Sequence, residues 1–180
     1  MRRALAAVAL LVGLAGCQSV ASPGSTSPSL AVDGRATLVR VVDGDTIVVS
    51  VGGRDERVRL IGIDTPESVK PGSPVECFGK EASGHLASLL PEGTVVRLVG
   101  DVEQRDRYGR LLAYVYREPD GLFVNAAMAR DGFAEPLTIP PNVAHTSELT
   151  AAARDAREGR RGLWAACTGE ARASTRGPPG

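Results

Sequence analysis

The residue types best suited to chemistry are concentrated in Arg59-Leu-Ile-Gly-Ile-Asp-Thr-Pro-Glu67. A guanidinium fixed on a rigid segment and aimed at a turn with two carboxylates suits phosphate chemistry around a hard metal ion. Arginine forks match phosphate oxygens, and carboxylates are ligands of hard cations. A strand-end salt bridge and a turn would use the same residues. Two further stretches can join this one. Asp43-Gly-Asp45 supplies a second acid, and Asp45 with Asp64, a backbone carbonyl and waters would make the all-oxygen site that Ca²⁺ or Mg²⁺ prefers. Asp-Gly is equally a common turn dipeptide. Gln104-Arg-Asp-Arg-Tyr-Gly-Arg110 gathers Arg105, Arg107 and Arg110 around Tyr108. The forks suit a phosphate and the ring a base or sugar, although a solvated charged loop has the same composition. His85 and His145 lack zinc-ligand spacing and are expected on helix surfaces.

These groups need elements to hold them. The β-branched run over residues 58–63 reads as the end of a strand, and Pro66 stops it. Asp64, Thr65 and Glu67 therefore leave the strand together on a short loop. Strands are expected over 36–42, 46–51 and 56–63, with turns at Asp43-Gly44 and Gly52-Gly53. Apolar spacing predicts a helix over 78–90, strands over 94–99 and 111–116, and helices over 124–130 and 146–157. The prolines at 136, 140 and 141 predict an extended loop. Five short strands with a helix between the third and fourth is the order of an OB-type Greek-key barrel, a mainly β member of the α+β class with three helices. An open α+β sheet is the alternative. A curled meander would bring Asp45 and Asp64 to the same end of the barrel.

The chain of 180 residues suffices for one domain, and its 21 basic side chains balance its 21 acidic ones. No overall basic field draws it to nucleic acid, so such binding must rest on a local cluster. Only Lys70 and Lys80 are lysines. Arg2 and Arg3 precede an apolar run over 4–15, shorter than the ~20 residues of a membrane span, which reads as an export signal. The run ends in Leu14-Ala-Gly-Cys17, which resembles a bacterial lipobox and predicts lipidation at Cys17; an ordinary secretory signal is the other reading. Residues 17–34 read as a Ser/Pro/Gly tether, 35–168 as the folded domain and 169–180 as a disordered tail. In an exported chain Cys77 and Cys167 suggest a disulfide. It would close a loop of about 90 residues, a constraint of roughly 4–5 kcal/mol in the chain-entropy account.

Taken together, the segments resemble the staphylococcal nuclease (thermonuclease) family. The matching pieces are Val42-Asp-Gly-Asp-Thr46, residues 59–67, Gly79-Lys-Glu-Ala82 and Asp106-Arg-Tyr-Gly-Arg110. Asn125 to Gly132, Pro141-Asn142 with His145, and Gly162-Leu-Trp164 extend the match in order. The resemblance implies a five-stranded OB barrel and Ca²⁺ held by Asp45, Asp64 and the Thr65 carbonyl. Glu67 would serve as general base or orient the attacking water, and Arg59 and Arg110 would grip the scissile phosphate. Arg107 and Tyr108 would contact the substrate. It further implies cleavage of DNA and RNA with little sequence preference. Nothing in the sequence demands an oligomer, so a monomer is expected, anchored outside the cytoplasm through Cys17 if the lipobox is used. The segment after Gly132 carries no tyrosine where the staphylococcal enzyme packs its nucleotide, and Arg107 replaces a lysine. A non-catalytic OB module that binds nucleic acid is the competing class.

Overall fold

A computed structural model describes residues 34–68, 75–118 and 120–167. The expected leader, Cys17, the tail and the tether up to residue 33 lie outside them, and Gly34, expected in the tether, opens the first strand. In chain order the elements are β1 (Gly34–Asp43), β2 (Thr46–Val51), β3 (Arg54–Leu60), β4 (Ile63–Asp64), α1 (Gly79–Leu89), β5 (Val95–Val99), β6 (Leu111–Arg117), β7 (Leu122–Phe123), α2 (Val124–Arg130), β8 (Glu135–Pro136), α3 (Thr146–Glu158) and α4 (Leu163–Ala166). The main sheet runs β3-β2-β1-β5-β6 and closes on itself where β6 pairs with β3 in parallel, Arg59 opposite Leu112. The result is the closed five-stranded OB-type barrel that the element order predicts. Closure removes both sheet edges and, at the site, sets the start of β6 beside the end of β3.

Alternation explains the wall. Ile47, Val49, Val58, Leu60, Val96, Leu98, Leu111, Ala113 and Val115 are buried, each large side chain contributing roughly 1.5–3 kcal/mol on leaving water. Of the residues between them, Arg57 and Arg97 are exposed and Arg59 half-buried, whereas Val48 and Tyr114 are buried. Two irregularities in β1, between Leu38 and Arg40 and between Val41 and Asp43, bend the first hairpin as bulges do.

Five expectations need correction. The first hairpin turns at Gly44-Asp45, because Asp43 already pairs with Thr46. The third strand ends at Leu60, not Ile63. Gly62 takes φ 81°, and a Cβ there would lie 2.3 Å from the Leu149 side chain. The chain so turned pairs Ile63 and Asp64 with β8 inside the segment expected to be loop. A fourth short helix, α4, follows α3. The histidines are packed instead of superficial. His85 stacks on Phe133 at 3.9 Å and pairs with Asp131 at 3.0 Å. His145 packs against Tyr114 and Phe123.

Candidate active site

The acidic part is built on two turns pressed together. A Cβ on Gly44 would fall 2.7 Å from Thr65 Oγ1 and 2.9 Å from Ala82 Cβ, so only glycine lets the hairpin tip reach the strand end. Asp45, next to it, is 7% exposed. A carboxylate so buried needs several partners, and Asp45 has them. Its Oδ2 accepts from the Thr65 N–H and Oγ1, both at 3.1 Å, and forms an ion pair with Arg59 at 2.9 Å. Its Oδ1 accepts from Thr46 Oγ1 at 3.0 Å. The other Arg59 nitrogen donates to Asp64 Oδ1 at 2.9 Å, so one guanidinium bridges both acids. Burial first raises the Asp64 carboxyl above its ordinary range. Arg59 opposes the shift, and Asp45, Glu135 and Glu76 add to it. Burial, then the charge of Asp45, pushes Asp43 up to about 6.

Arg59 also joins this acidic part to a basic one. It lines a cavity of about 440 Å³ together with Arg107, Tyr108, Arg110 and the apolar side chains of Leu112, Leu137 and Ile139. Arg110 directly precedes β6, so barrel closure brings it to the cavity that Arg59 lines. Asp106 orients it, accepting from Arg110 Nε at 2.7 Å and from its backbone N–H at 2.9 Å. Burial pushes the Asp106 carboxyl up, but these bonds outweigh it and hold the group below its ordinary value. Tyr108 is 68% exposed. Arg107 donates to its hydroxyl at 2.7 Å, and the Arg107 and Arg110 guanidinium carbons stand 4.8 and 5.5 Å from its ring centre. Arg105, grouped with these by sequence, pairs with Glu56 and the Gly109 carbonyl instead.

Glu67 leaves β4 after Pro66 and is half-buried, its backbone bonded in both directions to Glu76. Cys77 and Cys167 form the expected disulfide, with Cα atoms 6.0 Å apart.

Sequence reasoning gave no role to three of the supports, although Asn125 and Asn142 lie in the segments that match the family. Asn125, fully buried, accepts from the Val115 N–H and donates to the Ile61 carbonyl at 2.8 Å, pinning the turn between Arg59 and Asp64. Asn142 ties the basic loop down. Its Oδ1 accepts from the Glu103 N–H at 2.7 Å, and its Nδ2 donates to the Glu103 carbonyl. Glu76 is the third. An Asn in a proline-rich stretch, or a Glu before a cysteine, carries no periodic signal.

Among the described residues no three His, Cys, Asp or Glu side chains converge as a metal cluster. The all-oxygen donors Asp45, Asp64 and Thr65 nevertheless fit a hard cation. The Arg59 guanidinium already sits between the two carboxylates as a stand-in positive charge, and such ions complete their shells with water or substrate oxygens.

Comparison with known proteins agrees with this geometry. Residues 57–166 match the sequence model of the family described as "Staphylococcal nuclease homologue". A thermonuclease of Staphylococcus intermedius is 44% identical over 134 residues, 74% of this chain and 78% of that protein. The thermonuclease of Staphylococcus hyicus is 39% identical over 127 residues, 71% and 73% of the two chains. Endonuclease YncB of Bacillus subtilis (strain 168) is 35% identical over 129 residues, 71% of this chain and 60% of its own.

Proposed function

The chain belongs to the staphylococcal nuclease family, and on that premise we propose that it is a Ca²⁺-dependent nuclease that hydrolyses phosphodiester bonds in DNA and RNA. One observation carries the reading: Arg59 touches both acids at 2.9 Å and also lines the cavity that holds Arg107, Tyr108 and Arg110. Hydrolysis of a phosphodiester needs positioning, a poised water and neutralised charge.

Asp45, Asp64 and the Thr65 carbonyl would hold the ion, which when bound supplies positive charge against the phosphate. Counted as ionised, Asp45, Asp64 and Glu67 outweigh Arg59 and Arg110 by one negative charge, and a divalent cation reverses that sign. Substrate binding as well as turnover should therefore depend on the metal. The chain's own residues then divide the work. Arg59 and Arg110 grip the phosphate and stabilise the charge that grows as water attacks in line. Glu67 takes a proton from that water or orients it. Tyr108 offers its ring to a base or sugar, and Arg107 adds charge beside it.

Export through the leader and a lipid on Cys17 would hold this monomeric enzyme on a membrane outside the cytoplasm. The apolar run ending in Leu14-Ala-Gly-Cys17 supports that placement.

The test is hydrolysis of single-stranded DNA by the oxidised protein, titrated with Ca²⁺ and then chelated with EGTA. Activity that appears with the ion and disappears with the chelator is expected. Binding without cleavage of DNA or RNA at saturating Ca²⁺, Mg²⁺ or Mn²⁺ would replace the enzyme by a binding module.

A further inference from the structure

Three consecutive residues, Glu76, Cys77 and Phe78, are each fastened to a different part of the molecule. Glu76 Oε2 accepts the Glu67 N–H at 3.0 Å, and the Glu76 N–H donates to the Glu67 carbonyl at 2.8 Å. Cys77 is covalently bonded to Cys167, just beyond α4. Phe78 takes a left-handed backbone, φ 72°, at the N-terminus of α1, with its ring 5.1 Å from that of Phe133. Such a conformation is strained for a bulky residue and persists only where the surroundings over-determine it. Glu67 is pressed from the other side too. A Cβ on Gly79 would lie 2.6 Å from the Glu67 carbonyl oxygen, and Ser68 Oγ meets Ser83 Oγ of α1 at 2.9 Å.

A binding surface has no use for so many restraints on the backbone of one glutamate. We infer that Glu76 is a positioning residue for Glu67, and that the Cys77–Cys167 bond holds Glu76 in that role. This rests on the proposed part of Glu67 in hydrolysis. The Glu76 carboxylate fixes the peptide ahead of Glu67, hence the direction in which the Glu67 side chain leaves the loop. Misplacing a catalytic group by about 1 Å can cost 10²-fold in rate. Two-electron reduction of the bond by an added dithiol gives two thiols and the oxidised dithiol. It frees Cys77 from α4 and loosens the clasp without removing any group from the site.

The experiment compares Glu76→Ala, Glu76→Gln and Glu67→Gln in the full chain at saturating Ca²⁺, with kcat and KM measured on single-stranded DNA. Amide exchange at Glu67 is followed by NMR. Glu76→Ala should lower kcat roughly 10- to 100-fold with KM unchanged and should unprotect the Glu67 N–H. Glu76→Gln keeps an acceptor oxygen and should retain most of the turnover and the protection. Reduction of the wild type should lower kcat in the same way, with KM again unchanged. A Glu76→Ala protein that turns over like the wild type while Glu67→Gln is dead overturns the inference and spares the reading of Glu67. So does a Glu76→Gln protein as slow as Glu76→Ala. A fully active Glu67→Gln protein brings down both. Undiminished turnover after complete reduction, verified by thiol titration, overturns the part given to the disulfide.

Discussion

The acidic and basic parts of the site are built on opposite principles. Asp45 is 7% exposed, and both its oxygens are satisfied within the protein. Tyr108 is 68% exposed, and its polar partner, Arg107, comes from the same loop. The acidic part lies where two turns and a strand end interlock, so its geometry exists before any ligand arrives. The basic part is a charged loop fastened at its root by Asn142 and at its tip by Asp106. Of the groups proposed to set the rate, Arg59 sits on the interlocked part and Glu67 is clasped to it, whereas Arg110 sits on the loop. Groups that meet a variable base sit on the looser loop, where adaptability costs little. Arg59 and Arg110 make the contrast measurable, because they have parallel proposed roles but unequal supports.

The largest expected effect belongs to the interlocked part. Glu67→Gln keeps the shape and removes the base, so turnover should fall about 10²–10⁴-fold with the unfolding temperature unchanged. A continuous cleavage assay and a melting curve check this, and wild-type turnover would remove Glu67 from the chemistry. Next come the arginines. Arg59→Ala and Arg110→Ala should each lose roughly 10²–10³ in kcat, the usual loss when one charge-stabilising donor is removed. Their stabilities should separate them. Arg59→Ala strands a buried acid, a cost of about 3–5 kcal/mol when one partner of a buried pair is lost, and Ca²⁺ should restore part of it. Arg110→Ala leaves Asp106 still accepting from the Tyr108 and residue-110 backbone N–H groups of its own loop and should melt close to wild type. Equal melting temperatures without Ca²⁺ would erase the distinction between the two parts.

How legible the two parts were in sequence follows from the same contrast. The barrel was readable because its strands alternate and its turns are marked by glycine, as at Gly52-Gly53. The residues around Arg59 were readable because a guanidinium and acids cluster within a few positions. What escaped depends on contacts distant in sequence. The break after Leu60 answers to the Leu149 side chain against Gly62, which no local pattern shows. Asn125 and Asn142 act through backbone groups far away in the chain. Grouping Arg105 with Arg107 and Arg110 failed because spacing in a loop does not set direction, and Glu56 on the neighbouring wall draws Arg105 away.

The basic part predicts smaller effects. Tyr108→Ala should raise KM for single-stranded DNA about tenfold, the scale of one lost base–aromatic contact of about 1–3 kcal/mol, and leave kcat nearly intact. A fall in kcat without a change in KM would move Tyr108 to the acidic side of the comparison.

The smallest effect concerns the root of the loop. Asp101 accepts from the Val102 N–H, the Ala144 N–H and the Tyr114 hydroxyl, each at 3.0 Å. Burial raises its carboxyl, but these donors outweigh burial and hold it below its ordinary value. A carboxylate whose folded pKa is depressed contributes stability above its unfolded value, near 3.9, and loses it as pH falls through the folded value. Asp101→Asn should therefore melt a few degrees below wild type at pH 7, and the gap should close as pH falls below about 4. Thermal unfolding followed from pH 7 downward decides the point, the gap narrowing steadily below about pH 4. A gap that persists in acid would mean that Asp101 acts by shape and not charge, leaving Asn142 as the polar tie between the loop and the segment before α3.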